Sequence, residues 1–190
     1  LAQVRVDSKD PSLKNPSKPV GPWFNIDEKE NLTSKGWALT QREKGVRRLV
    51  PSPKPKEVIE LEIIRSLFEN RILCITAGGG GTPVIHNSDE WQGVEGVIDK
   101  DLVSSILAKE LNATHLVIAT DVENVWFGPN RDPIGKINTA TLQKYYDAGE
   151  FPSGSMGPKI KAALNFVKSE NQTTIITSLS NVMQALDGNA

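Results

Sequence analysis

Four consecutive glycines, Gly78 to Gly81, follow the apolar run Ile72-Leu73-Cys74-Ile75 and its continuation Thr76-Ala77, and this stretch limits the possible folds most sharply. An apolar segment ending in residues without Cβ atoms predicts a buried strand that opens into a loop where backbone can approach a ligand closely. In an open α/β sheet that carboxyl end is where ligands bind. The loop has neither the Lys-Ser or Lys-Thr of a Walker A sequence nor the G-x-G-x-x-G spacing of dinucleotide folds, so it fits neither pattern. A plain flexible turn is the alternative, and four glycines after a buried strand would make it costly in chain entropy.

The rest of the chain alternates around this point. Val58, Ile59, Leu61, Ile63, Ile64, Leu67 and Phe68 have helical spacing, as do Leu102, Val103, Ile106, Leu107 and Leu111 after Asp99-Lys100-Asp101. An aspartate at that edge can cap the open N–H groups. His115 to Thr120 predicts a strand ending in Asp121-Val122, followed by a Pro-, Asn- and Gly-containing loop and a helix around Leu142, Tyr145 and Tyr146. Ser153-Gly154-Ser155-Met156-Gly157-Pro158-Lys159 opens a further helix, with Pro158 in its first turn and Ile160, Ala163, Leu164 and Val167 inward. Thr173 to Thr177 reads as a strand and Val182 to Leu186 as a short helix. Helices alternating with short apolar strands predict an α/β fold with a mostly parallel sheet covered on both faces. So few strands would leave unpaired sheet edges, which predicts an incomplete sandwich.

Residues 1–55 differ in composition. The Pro- and Lys-rich run from Asp10 to Pro22 forbids a long helix, Gly45 to Val50 alternates as a strand should, and Pro51-Ser52-Pro53-Lys54-Pro55 reads as a stiff hinge. We therefore expect a small protruding subdomain over 1–55 and an α/β nucleotide-binding portion over 56–190. Arg47 and Arg48 would shield an edge strand. The formal charge of −1 gives no global basic field and argues against nucleic acid as a partner. No apolar run approaches the roughly 18 residues of a membrane span, and no signal-peptide pattern opens the chain, so a cytoplasmic protein without a membrane partner is expected. The single cysteine, Cys74, is expected in the core. His86 and His115 have no Cys or His at ligand spacing, and no metal site is assigned to them.

Lysines placed at helix starts, with backbone N–H groups and a few carboxylates, suit a substrate carrying several phosphates. Phosphoryl transfer needs positioning and charge neutralisation more than a covalent nucleophile, so a small-molecule kinase is the leading chemical reading. The bland alternatives are a solvated cap for Asp99-Lys100-Asp101 and solvated surface lysines for Lys18 and Lys159.

Six segments in one order carry a resemblance. They are Lys14 to Pro22, Val50 to Pro55, Ala77 to Val84, Gly93 to Asp101, Thr120-Asp121-Val122 and Gly154 to Lys159. Together they closely resemble carbamate kinase, of the amino-acid-kinase superfamily, over nearly the whole chain. The resemblance implies a three-layer α/β/α sandwich, usually dimeric, that moves a phosphoryl group between ATP and carbamate to give ADP and carbamoyl phosphate. Mg²⁺ would accompany the nucleotide, and the arginine deiminase route, run toward ATP, would be the setting. By this resemblance Lys100 and Lys159 neutralise the moving phosphoryl group and Asp101 orients them. Lys18 belongs to a lid that binds substrate, Gly78, Gly79 and Gly80 give backbone contacts, and Thr120, Asp121, Val122, Ser155 and Met156 line the nucleotide pocket.

The chain has no Gly-Gly-Asn loop of the kind with which the family begins. The expectation is that these 190 residues form the carboxyl-terminal portion of the kinase and do not turn over substrate alone. Two rivals stand beside this reading: a related amino-acid kinase acting on another acid, and a non-catalytic remnant that binds nucleotide.

Overall fold

The computed structural model describes residues 2–87, 90–128, 130–152 and 154–188. The chain divides into two compact units, 1–99 and 100–190.

The first unit runs β1 (Gln3–Val6), β2 (Lys18–Phe24), α1 (Lys29–Ser34), β3 (Ala38–Arg42), β4 (Gly45–Val50), β5 (Pro55–Val58), α2 (Leu61–Glu69), β6 (Thr82–Asn87) and β7 (Glu90–Gly93). Among the described residues it contains two sheets. One has the order β5-β1-β6-β7, with β1 parallel to β6 and the other neighbours antiparallel. Alternation explains β1, in which Val4 and Val6 turn inward and are 0% and 3% exposed. The other sheet, β2-β4-β3, is antiparallel throughout and occupies 18–50 of the expected 1–55 subdomain, whereas β1 pairs elsewhere. β4 is its middle strand, so the edge-shielding reading of Arg47 and Arg48 is corrected. Arg47 instead lies over the Trp23 ring and donates to Gly21 O, while Arg48 lies over the Trp37 ring and pairs with Glu95.

The expected strand at 72–75 is also corrected: these residues form no strand, and Leu73 and Ile75 are 92% and 97% exposed. The strand starts after the glycines instead. Thr82 N donates to Ala2 O at 2.9 Å, and Pro83 and Val84 are buried beside β1. The physical reason is pairing: an apolar run becomes a strand only where a ladder accepts its N–H and C=O groups, and here β1 offers that to residues 82–84. Cys74 is accordingly half-exposed, with its Sγ near Ile72 O at 3.4 Å, rather than a core residue.

The second unit comprises α3 (Lys100–Glu110), β8 (His115–Thr120), β9 (Val125–Phe127), β10 (Asp132–Ile134), α4 (Thr139–Asp147), α5 (Met156–Phe166), β11 (Thr173–Ser178) and α6 (Val182–Leu186). β8 and β11 pair in parallel from His115↔Thr173 to Thr120↔Ser178, so their carboxyl ends share one edge. Of the β9–β10 hairpin, β10 lies inside the stretch from Gly128 to Gly135 read from sequence as a loop, and β9 lies just before it. Asn138 starts α4 by accepting from Thr141 N at 2.9 Å, the side-chain cap expected of an asparagine there. Ser153, part of the expected helix-opening stretch, lies outside the described residues.

Helix α5 holds this unit together because apolar residues cover most of its circumference. On one side Ala162 and Phe166 pack with Ala108, Leu116 and Ile118. On the other, Ile160, Ala163 and Leu164 pack with Val125, Leu142 and Phe151. Phe166 and Ile160 are 0% and 1% exposed, and each such side chain contributes about 2–3 kcal/mol by leaving water.

Candidate active site

In the first unit the candidate residues begin with the glycines. Ala77, at φ 51, and Gly80, at φ 100, close a turn in which Gly80 N donates to Ala77 O at 2.8 Å. The Gly80 N–H is thus used inside the loop. A Cβ on Gly78 or Gly79 would meet nothing within 4 Å, so their backbone borders open space, as a contact with ligand requires. Gly81 is needed for a different reason. At φ +81 its Cβ would lie 2.7 Å from Val4 Cγ2 and 2.8 Å from Ala2 O.

Lys18, at the head of β2, is not a solvated lysine. Its Nζ donates to Asp99 Oδ2 at 2.8 Å, with the two side chains 29% and 16% exposed. Sequence reasoning gave Asp99 a capping role and missed this contact, which spans 81 positions and leaves no local signal.

In the second unit Lys159 and Asp101 come together. Asp101 sits in the first turn of α3 and is 8% exposed, and its Oδ2 accepts from Lys159 Nζ at 2.8 Å. The side chains are 15% and 11% exposed. Both helix starts are set by local chemistry. Gly157 N donates to Pro152 O at 2.8 Å, and a Cβ on Gly157 would sit 3.1 Å from that oxygen, so glycine permits the tight entry. Pro158 then falls where an intrahelical N–H is not required. Ser155 is the exposed N-cap residue, with no side-chain cap hydrogen bond. Met156 packs at the margin of the apolar cluster around Ile160. Lys100, the first residue of α3, is exposed.

Thr120, Asp121 and Val122 lie at the carboxyl end of β8, where the parallel pair ends. Thr120 Oγ1 donates to Asp121 Oδ1 at 3.1 Å. Just beyond, buried Thr177 of β11 donates to Glu123 O at 3.1 Å and ties that loop to the strand. Among the described residues, no group of three or more His, Cys, Asp or Glu side chains could hold a metal ion.

An ammonium has three N–H donors and a carboxylate only accepts. Each lysine that gives one donor to an aspartate keeps two, held in a fixed direction. Donors fixed in place are what charge developing on a phosphoryl group requires.

Residues 26–178 match the sequence model of the amino acid kinase family. A carbamate kinase of Pyrococcus horikoshii is 44% identical over 193 aligned positions, covering 99% of this chain and 62% of that protein. A carbamate kinase from Giardia lamblia bound to citric acid superposes with a TM-score of 0.92 at 39% identity, covering 100% of this chain and 61% of that one. The same enzyme bound to AMP-PNP gives 0.85 at 38% identity, with 100% and 62% covered. The chain therefore spans about three fifths of the length of the relatives it matches.

Proposed function

Because the chain belongs to the amino acid kinase family, we propose that it serves the carbamate kinase reaction, ATP and carbamate to ADP and carbamoyl phosphate, in either direction. The observation that carries this reading is the 2.8 Å contact of Lys159 with Asp101 at the starts of two helices. The relatives of 39–44% identity that are carbamate kinases support it, as does the AMP-PNP bound by the Giardia lamblia enzyme.

The chemistry asks little covalent work of the protein. A carbamate oxygen, already anionic, forms a bond to the γ-phosphorus of ATP while the bond to the bridging β–γ oxygen breaks, so no proton has to be removed first. The barrier lies in bringing anions together and in the charge spread over the moving group. Lys159, steadied by Asp101, offers its two remaining N–H donors to that charge, and Lys100 adds a second ammonium. Gly78 and Gly79 bring backbone close to the phosphates, and Lys18 binds the acid substrate. Thr120, Asp121, Val122, Ser155 and Met156 receive the nucleotide. No residue of this chain is assigned to Mg²⁺. It would arrive on the nucleotide phosphates, as that ion commonly does.

Carbamoyl phosphate is a mixed anhydride and a strong phosphoryl donor, which favours the ATP-forming direction. Arginine breakdown by the deiminase route, a cytoplasmic location and a homodimer complete the proposal on the same resemblance. No helix among the described residues is long and apolar enough to cross a membrane.

The test is ATP formation from ADP and carbamoyl phosphate by the intact protein, beside a panel of other acyl phosphates. Preference for carbamoyl phosphate supports the reading, and preference for another acyl phosphate replaces it with a related amino-acid kinase. Nucleotide binding by calorimetry without any turnover would leave a non-catalytic nucleotide-binding protein. The 190-residue chain by itself is expected to show no turnover, and normal rates from it would refute that part.

A further inference from the structure

Two aspartates flank Lys100, and the reaction proposed above uses only Asp101. Asp99 is held just as firmly. Its neighbour Ile98 is 1% exposed, Val97 N donates to Pro51 O at 2.9 Å, and Ser52 Oγ donates to Val97 O at 2.9 Å. A Cβ on Gly96 would lie 3.2 Å from both Pro51 O and Pro53 Cδ, so this strap and the 50–53 strap run in close contact.

Lys18 is tied to the same strap from the other side. It pairs with Val50 in the β2–β4 register, and Ser17 N donates to Val50 O at 3.1 Å. The 2.8 Å contact of Lys18 with Asp99 closes a circuit whose remaining links are hydrogen-bonded backbone. A long lysine side chain on a surface samples many rotamers, and fixing one costs up to about 2 kcal/mol of side-chain entropy. Here a charge-assisted bond to a largely buried carboxylate selects one position before any substrate arrives.

We propose that Asp99 is the positioning residue of Lys18. It orients one ammonium N–H inward so that the other two meet an anionic acyl phosphate from a fixed point, and it touches neither substrate nor phosphoryl group itself. The proposal rests on the carbamate kinase reading, in which Lys18 binds the acid substrate.

Competitive acetylation with acetic anhydride, read by peptide mass spectrometry, reports the access of each lysine amine. Lys18 is expected to label more slowly than the exposed Lys14, and carbamoyl phosphate to slow it further. Asp99→Asn is expected to raise Lys18 labelling about threefold without changing Lys14, and to remove most of the protection by carbamoyl phosphate. In the intact protein it should raise KM for carbamoyl phosphate about tenfold, with a smaller change in kcat and none in KM for ADP. Asp99→Glu, which keeps the charge, should recover part of that loss. In a Lys18→Ala background, Asp99→Asn should add no further loss, because the two act as one unit.

Unchanged Lys18 labelling in Asp99→Asn would overturn the proposal. Raised labelling with an unchanged KM would do so too, since a merely structural tie behaves that way, as would an additive loss in the double variant. If the unaltered protein neither consumes carbamoyl phosphate nor is protected by it while labelling still responds to Asp99→Asn, the carbamate kinase reading has failed and the positioning role falls with it. That outcome is distinct from absence of the pair, in which labelling does not respond at all.

Discussion

Lys159 lies near the start of α5, where the helix dipole opposes a positive charge. Asp101 offsets that opposition, and the pair keeps a charged donor in place with little help from water. Lys159→Ala should lower kcat of the intact protein about 10²–10³-fold while KM for nucleotide changes little, because the donor matters most as charge develops. Steady-state kinetics decide it, and equal losses in both parameters would count against the role. Asp101→Leu removes the partner and strands the lysine. We expect a loss of about 3 kcal/mol in unfolding free energy, the low end for a pair of this burial, measured by urea denaturation. Asp10 is a smaller case with a definite sign. Burial raises its pKa, but hydrogen bonds from Lys54 N and Ser12 N outweigh that and hold it below the ordinary 3.8. A depressed carboxylate stabilises the fold above its unfolded value and ceases to do so as pH falls through its folded one. The gap in urea midpoint between the unaltered chain and Asp10→Asn should therefore be full at pH 7 and shrink steadily once the pH drops below 3.8.

At the scale of elements, Gly81 is irreplaceable for steric reasons and Gly78 is not. Gly81→Ala places a methyl against Val4 and Ala2 at positive φ and should destabilise the chain by about 2–4 kcal/mol in thermal or urea unfolding. Gly78→Ala meets open space and should cost far less, so the contrast tests the loop geometry. Periodicity located α2, α3, α4, α5, β4, β8 and β11, because each repeats its apolar residues at its own period, even on α2, where Ile64 is buried and Ile63 is 65% exposed. It failed at 72–75, read Val58 and Ile59 into α2 although Val58 ends β5, and missed α1 and the β6–β7 and β9–β10 hairpins. Short strands take their partner from elsewhere in the chain, so residues 82–84 paired with β1 although residues 72–75 are the more apolar. β4 was legible as a strand but not as a central one, since a strand's neighbours are not written in its own sequence.

Across the whole molecule, apolar side chains remain in water in both units: Ile63, Leu73 and Ile75 in the first, at 65%, 92% and 97% exposure, and Leu179 and Met183 in the second, at 79% and 69%. Exposed apolar side chains bind hydrophobic dyes, so the 190-residue chain should enhance anilinonaphthalene sulfonate fluorescence in its native state. Leu73→Ser with Ile75→Ser should reduce that signal and shift unfolding free energy by no more than about 0.5 kcal/mol, because neither side chain leaves water on folding. A loss of several kcal/mol would mean that these residues are buried in solution. By itself, the order of residues determined helices α2 to α6, the glycine-lined turn and the kinds of side chain available for holding phosphate, because propensity, periodicity and backbone freedom act over a few neighbours. Only the tertiary structure decided that Lys18 meets Asp99 across 81 positions and Lys159 meets Asp101 across 58. A charge pair needs no local pattern to form, only two backbones brought within reach by the packing of everything between them.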